Sequence, residues 1–504
     1  MSIFVAYPIA NSASLRSLVR ALVPLLAGAG AYLIFLSIGE IQLRDSDTLW
    51  QIRIGQWIIE HGAVPTTDVH SFTRFGAPWM SSSWLSQVLY AISYGSLDWA
   101  GPVILTSLAI GATVAIFIYL LDAYVDPARA IFLVTLALLM SATHVLARPH
   151  MLAFPFMVTF LGGLMAAADR SKAPSWLLLP VLALWANLHG GFVLGLALIG
   201  PIGLEALWCA ERKHRVALAL RWALFGIAAL AACCCTPYGW NTLLGAAKIL
   251  SLGKLLTMIW EWMPANFGTW TFFEFALLGL IGLGFYRGLT LSVPRIILLL
   301  GLIDMALAHA RNIEIFAFIV PLVLAKPLAE QLGTLLTGTA AVREGQPRSH
   351  LVVLAALGIV VAGSTSTQAF VAHRPFSFLQ IQMPVAAVDV LQKRQAQRIF
   401  STAPFGGYLV SRDIKAFIDG RAELYGEQFV LDYFDAVMAK DVDILLRLFD
   451  TYRIDATLLA PDLPATKVMD HLAGWKRLYA DDIAVIHVRD DQQAPASLVP
   501  ELRR

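Results

Sequence analysis

A chain of 504 residues with 58% hydrophobic and 14% charged residues is too apolar for a string of soluble domains, which carry about 25% charge. Its net charge of +2 gives no excess of Lys and Arg for a nucleic-acid surface, so no nucleic acid is expected among its partners. Three of the four cysteines form the run Cys233, Cys234, Cys235 inside an apolar segment, which excludes a disulfide framework and leaves a polytopic helical membrane protein as the expected class.

A bilayer core needs about 20 apolar residues per helix, and about eleven runs of that kind follow one another along the chain. They lie near 21–39, 101–121, 129–146, 151–168, 176–187, 191–209, 222–236, 272–286, 294–310, 312–328 and 351–371. Arg16 and Arg20 precede the first run and no small-residue cleavage site follows it, so it is expected to be an uncleaved anchor with the N-terminus in the cytoplasm. In that orientation the inner loops hold about fourteen Lys and Arg and the outer loops about seven, as the positive-inside rule requires. Residues 1–371 are therefore expected to form the transmembrane domain, with 331–350 as a cytoplasmic linker.

The first outer loop, 40–100, is the longest. Thr48 to Glu60 places Leu49, Ile52, Trp57 and Ile58 at helical spacing with Trp50, Arg53 and Gln56 between them, the pattern of an amphipathic helix along the membrane surface, and Gly62 and Pro65 stop it. Asp45 and Asp47 stand at its start, where the helix dipole favours an ionised carboxylate that can serve as base or metal ligand. The competing reading is that Asp47 only caps the helix.

Charged and amide side chains at membrane depth cost about 2.5 to 3.5 kcal/mol each, so their collection at one end of the spans is informative. Arg148 and His150, Asn187 and His189, Tyr238, Glu261 and Asn266, and His309, Arg311 and Asn312 all fall at the outer end of the expected spans, together with the two aspartates. A guanidinium at a span end matches a phosphate, which makes Arg148 and Arg311 candidates for one, with snorkelling as the alternative. His150 and His189 are either bases or ligands, or are hydrogen-bonded to backbone or water. Glu261 to Phe267 borders either a sugar or the aromatic belt. The cytoplasmic turns are expected to hold only snorkelling Arg and Lys.

The tail, 372–504, is expected to be a small α/β domain on the outer face. It reads as a helix over 384–395, strands at 398–402, 416–418 and 456–459, one long or two short helices over 427–448, and a hairpin over 477–488 around Asp481 and Asp482. Gly406 to Leu409 and Phe417 to Gly426 are its conspicuous motifs. The latter reads as a tight turn at Asp419-Gly420 with Arg421 pairing locally, and contact with substrate is the alternative.

The acidic motif after the first span, the long outer loop, the many spans and the outer C-terminal domain together resemble the GT-C glycosyltransferase superfamily. More closely, D-T-L-W-Q-I-R-I-G-Q-W-I-I-E-H-G, R-P-H, W-A-N-L-H-G-G-F, T-P-Y-G-W, E-W-M-P, A-R-N and F-I-D-G-R-A-E-L-Y-G are similar to a group of GT-C-like bacterial inner-membrane proteins. The resemblance implies transfer of a sugar from a polyprenyl-phosphate-linked donor to a glycan, lipid or protein acceptor at the periplasmic face. It also implies that an acidic residue of the first loop, Asp47 or Asp45, acts as base. The superfamily holds enzymes with and without a divalent cation, so a metal stays open. The set of candidates is then Asp47 and Asp45 for catalysis, Arg148, Arg311 and His150 for the donor phosphate, and Asn187, His189, Tyr238, Glu261, Asn266 and Asn312 for substrate. A transporter and a non-catalytic envelope scaffold are the rival readings. The first requires inverted repeats, which the sequence lacks, and midplane charges, of which it has few, and the second requires tolerance of changes at Asp47, Arg148 and Arg311 but not of changes in the tail.

Overall fold

The computed structural model describes residues 12–250, 253, 260–333, 349–378 and 383–490. Residues 334–348 of the expected linker and 491–504 of the tail lie outside the described residues. The first part of the chain is helical: α1 (Ser12–Ser37), α2 (Ser46–His61), α3 (Trp84–Leu97), α4 (Ala100–Leu121), α5 (Pro127–Met140), α6 (Pro149–Asp169), α7 (Leu178–Leu188), α8 (Phe192–Cys209), α9 (Arg215–Cys233), α10 (Asn241–Leu250), α11 (Phe272–Arg287), α12 (Val293–Ala308), α13 (Ile313–Leu332) and α14 (Ser349–His373). All but α2, α3 and α10 lie over the apolar runs. Among the described residues six stretches are long and apolar enough to cross a membrane: Ala100–Leu121, Pro149–Asp169, Phe192–Cys209, Arg212–Cys233, Ala310–Leu332 and Val352–His373. Ala21–Ser37, Pro127–Met140 and Leu178–Leu188 are shorter apolar helices, and α11 and α12 have 16 residues each. The chain is thus a multi-pass membrane protein whose most buried long helix is α6.

Where the reading placed only snorkelling cations, the structure holds a buried ion network. Arg295, at the start of α12, reaches Asp169 at the end of α6 over 2.7 Å and Glu205 in α8 over 2.9 Å, all three at most 4% exposed. Tyr124 adds a hydrogen bond to Asp169 of 3.0 Å. The partners come from helices remote in sequence, so no local spacing announced the network.

The tail builds a four-stranded sheet in the order β1 (Ile399–Ser401), β2 (Ala456–Leu459), β4 (Val485–Arg489), β3 (Trp475–Ala480). β1 runs parallel to β2, whereas β4 is antiparallel to both β2 and β3. The helices are α15 (Val385–Lys393), α16 (Ala403–Ser411), α17 (Ala422–Tyr425), α18 (Glu427–Val437), α19 (Val442–Tyr452) and α20 (Pro464–Met469). Gly406 to Leu409 lies in a helix, α16, which opens with Pro404 in its first turn. The 416–418 segment is no sheet strand. It leaves the domain to bridge the first loop, where Ala416 donates its N–H to His70 and accepts from Phe72.

The two parts of the chain are locked together at the first loop. Helix α2 packs its apolar face, with Leu49, Trp50, Ile52, Ile54 and Ile58 buried, against protein rather than along a membrane surface. On one side it meets α3 so closely that a Cβ on Gly55 would lie 2.0 Å from the Gln87 carbonyl oxygen. On the other side α16 crosses its N-terminus, and a Cβ on Gly407 would lie 2.5 Å from the Ser46 oxygen. The Asp419-Gly420-Arg421 turn does hold the local pair, since Arg421 makes a two-pronged contact to Asp419 at 2.6 and 2.9 Å. It also reaches Asp68 of the first loop at 2.6 Å, with all three side chains at most 1% exposed and the guanidinium 4.7 Å above the Trp79 ring. Arg421→Met would leave two buried carboxylates without a cation. A loss of about 3 to 5 kcal/mol follows, together with separation of the tail from the first loop, read as a lowered midpoint of unfolding and faster protease cleavage within 62–83.

Candidate active site

The acidic motif divides its labour. Asp45 is the N-cap of α2, its carboxylate accepting the Asp47 N–H at 3.1 Å, so the capping role falls on Asp45 and leaves Asp47 in the first turn with its side chain free for other partners. Asp47 uses one oxygen to accept from the Trp50 indole N–H, one helical turn on, at 2.9 Å, and the other to pair with Arg148 at 2.9 Å. Arg148 is delivered by the residue pattern of its own helix. It is the extended N-cap of α6, followed by Pro149 at the first helical position, and this arrangement aims the guanidinium away from the bundle toward α2. Its three nitrogens engage Asp45, Asp47 and Glu261, the last carried by a single 3-10 turn at Trp260–Trp262. Residues 45, 47, 148 and 261, far apart in sequence, therefore meet at one point.

The electrostatics separate the carboxylates. Burial lifts the Asp47 pKa to about 6 against the pull of Arg148, and the neighbouring Asp45 adds to the rise. Burial acts on Glu261 in the same direction, but the guanidiniums of Arg148 and Arg311 override it and hold the pKa at about 2. Arg148 is disfavoured by burial and rescued by its three carboxylates, which raise its pKa above the ordinary value. Glu261 is thus a fixed anion and Asp47 a group that exchanges a proton near neutral pH.

Arg311 stands beside this centre. It follows His309 in the 3-10 turn that links α12 to α13, its guanidinium 4.5 Å above the Trp262 ring. The turn is tied to the Glu261 loop by the Ala310 N–H to the Met263 carbonyl at 2.8 Å and by His309 Nδ1 to the Trp262 carbonyl at 2.7 Å. Among the described residues Arg311 has no ion pair, so it is a cation on this face open to an anionic ligand. His150 packs 6.2 Å from His189 between ring centres and engages the His144 carbonyl at 3.0 Å. Burial and Arg311 lower the His189 pKa to about 3, which keeps it neutral.

Four other candidates are occupied with backbone. Asn187 donates to the Ala183 and Cys235 carbonyls at 2.7 and 2.9 Å and accepts from Trp84 at 2.9 Å. Tyr238 donates to the Pro65 carbonyl at 2.8 Å, Asn312 to the Met305 carbonyl at 3.1 Å, and exposed Asn266 accepts from Gly268 at 2.7 Å in a local turn. The sequence reading missed Trp50, which the three-residue spacing from Asp47 signals. It also missed Glu314, buried in the first turn of α13 with Oε2 unpartnered among the described residues. Gly420 carried no such signal: a Cβ there would lie 2.5 Å from Asp47 Oδ1 and 3.2 Å from the Trp50 indole nitrogen, so only glycine lets the tail close on the carboxylate.

Three carboxylates around one point form a donor set that suits a hard divalent cation. Here that point is taken by the Arg148 guanidinium, which bonds to each of them, and among the described residues no group of three His, Cys, Asp or Glu has the arrangement of a metal site. The residues do not fit a metal, and charge compensation at this centre belongs to arginine.

The helical membrane domain, the long first loop and the small sheet-bearing tail have a counterpart among solved structures. The chain is similar to the crystal structure of the oligosaccharyltransferase of Archaeoglobus fulgidus in the apo form, with a TM-score of 0.51 over 96% of this chain and 75% of that one, at 12% identity. The archaeal oligosaccharyltransferase from the same organism in complex with an inhibitory peptide and a dolichol-phosphate superposes with a TM-score of 0.49, over 92% of this chain and 75% of that one, also at 12% identity. No protein-family profile matches the sequence, and no curated protein does.

Proposed function

We propose that this chain is a membrane glycosyltransferase that moves a sugar from a polyprenyl-phosphate-linked donor to an acceptor hydroxyl at the periplasmic face of a bacterial inner membrane, with Asp47 as base. The observation that carries the reading is the Asp47 carboxylate itself, buried at a helix start, gripped by Trp50 and Arg148, and titrating near neutrality. Ionised Asp47 takes the acceptor proton as the acceptor oxygen bonds to the anomeric carbon. The bond from that carbon to the phosphate oxygen breaks on the opposite face with inversion, and its electron pair leaves on the phosphate. Arg311 receives that developing charge, because Arg148 is committed to three carboxylates and serves to orient them. Neutral His189 and the aromatic belt around Trp262 exclude water from the centre.

The pH dependence tests this assignment. Asp47 is inactive as a base when protonated, so kcat/KM for sugar transfer by the protein in liposomes falls about tenfold per pH unit below about 6 and is level above it. A profile without that acid limb between pH 5 and 7, or an absence of transfer from polyprenyl-phosphate sugars, overturns the reading.

A further inference from the structure

A cleft of about 360 Å³ opens beside α17, which follows the Asp419-Gly420-Arg421 turn. Its walls come from four parts of the chain: Trp79, Ser82 and Trp84 of the first loop, Ala186 of α7, Tyr238 and Asn241 around the start of α10, and Glu423 of α17. Two indoles and a phenol supply flat apolar faces. Glu423 accepts the Trp79 indole N–H through Oε1 at 3.0 Å and is the one carboxylate among the residues lining the cleft. Ser82 and Asn241 make no side-chain hydrogen bond among the described residues, so hydroxyl and amide groups stand ready at the wall. No Lys or Arg lines it, which disqualifies a phosphate and with it the charged head of a lipid-linked donor.

The cleft is tied to the reaction centre at both ends. Gly420 lies against Asp47, and Glu423 follows three residues later, a separation of at most about 11 Å even for extended chain. At the other wall Trp84 bonds to Asn187, and Ser82 faces Gly190, next to His189. Flat apolar faces interleaved with a carboxylate, hydroxyls and an amide match a ring whose faces carry C–H groups and whose edge carries hydroxyls.

We infer that this cleft binds the acceptor as an uncharged saccharide, packed between Trp84 and Tyr238 with its hydroxyls on Glu423, Ser82 and Asn241, so that the next sugar hydroxyl reaches Asp47. The assignment rests on the transferase reading and makes Trp84 and Glu423 determinants of acceptor specificity. It places the protein after a reaction that builds a neutral glycan.

Saturation-transfer NMR on the full chain in detergent tests it, with a panel of neutral methyl hexosides, N-acetylhexosamines and their di- and trisaccharides, and sugar phosphates as comparison. Wild type and Asp47→Asn are expected to give transfer to the same neutral sugars. Glu423→Gln, which keeps the shape of the wall, is expected to weaken binding about tenfold, and Ser82→Trp, which fills the cleft, to abolish it. Equal binding by wild type and Ser82→Trp, a stronger signal from sugar phosphates, or silence across the panel overturns the assignment. Turnover separates the two failures. If only the acceptor site is wrong, Asp47→Asn still stops sugar transfer while Glu423→Gln leaves the acceptor KM unchanged; if the transferase reading is wrong, Asp47→Asn changes no turnover.

Discussion

Asp47→Asn is expected to lower sugar transfer about 10²- to 10⁴-fold at pH 7, the contribution of a positioned base. The amide keeps the volume of the carboxylate and can still accept from Trp50 or Arg148, so the protein unfolds within a few degrees of wild type. The acid limb near pH 6 disappears from whatever rate remains, because the group that produced it no longer titrates. Asp45→Asn provides the contrast: asparagine is as good an N-cap as aspartate, so α2 keeps its start, and an acid limb is retained but moves below pH 6 because the Asp45 charge no longer helps to raise the Asp47 pKa. Wild-type turnover in Asp47→Asn would remove this residue from the chemistry.

Arg148→Met has the second large effect, and on stability as well as rate. Methionine fills much of the space but leaves Asp45, Asp47 and Glu261 facing one another without their cation. About 3 to 5 kcal/mol of destabilisation follows. Its pH dependence has a defined sign. In wild type Glu261 titrates at about 2, below its ordinary value of 4.5, so the stabilisation it receives is present above 4.5 and is lost as the pH falls toward 2. Without Arg148 that stabilisation goes, and the three carboxylates repel one another most above their own pKa values. The gap in unfolding midpoint between variant and wild type is therefore widest at neutral pH and narrows on acidification. A gap that stays constant from pH 7 to pH 4 would show that Arg148 contributes packing rather than charge.

The membrane helices were legible because hydropathy needs no partner: a run of about 20 apolar residues carries its own instruction. The same holds for α2, α15 and the β3–β4 hairpin, whose periodicity or turn residues are local. The convergence of Asp47, Arg148, Glu261 and Arg311 on one end of the bundle followed from which loops they occupy. What the sequence could not display were choices made between remote segments. Arg148 reads as a snorkelling or phosphate-binding cation until Glu261 arrives from the loop before α11 to complete its third contact. Gly406 and Gly407 stood out without a stated role, and they are the smooth face that lets α16 press on Ile418 and Ser46. The 416–418 segment has strand-like residues and does pair, but with His70 and Phe72 of a distant loop rather than with the sheet.

The close approach of Gly420 to Asp47 also sets an order of events during synthesis. Asp47 leaves the ribosome early, and the glycine that seals it follows about 370 positions later, which at 5 to 20 residues per second is roughly 20 to 70 seconds of translation. During that interval the half-made chain already sits in the bilayer with its acid uncovered and no cleft for an acceptor. If Asp47 is the base proposed above, the last quarter of the polypeptide withholds competence until every preceding helix has been made.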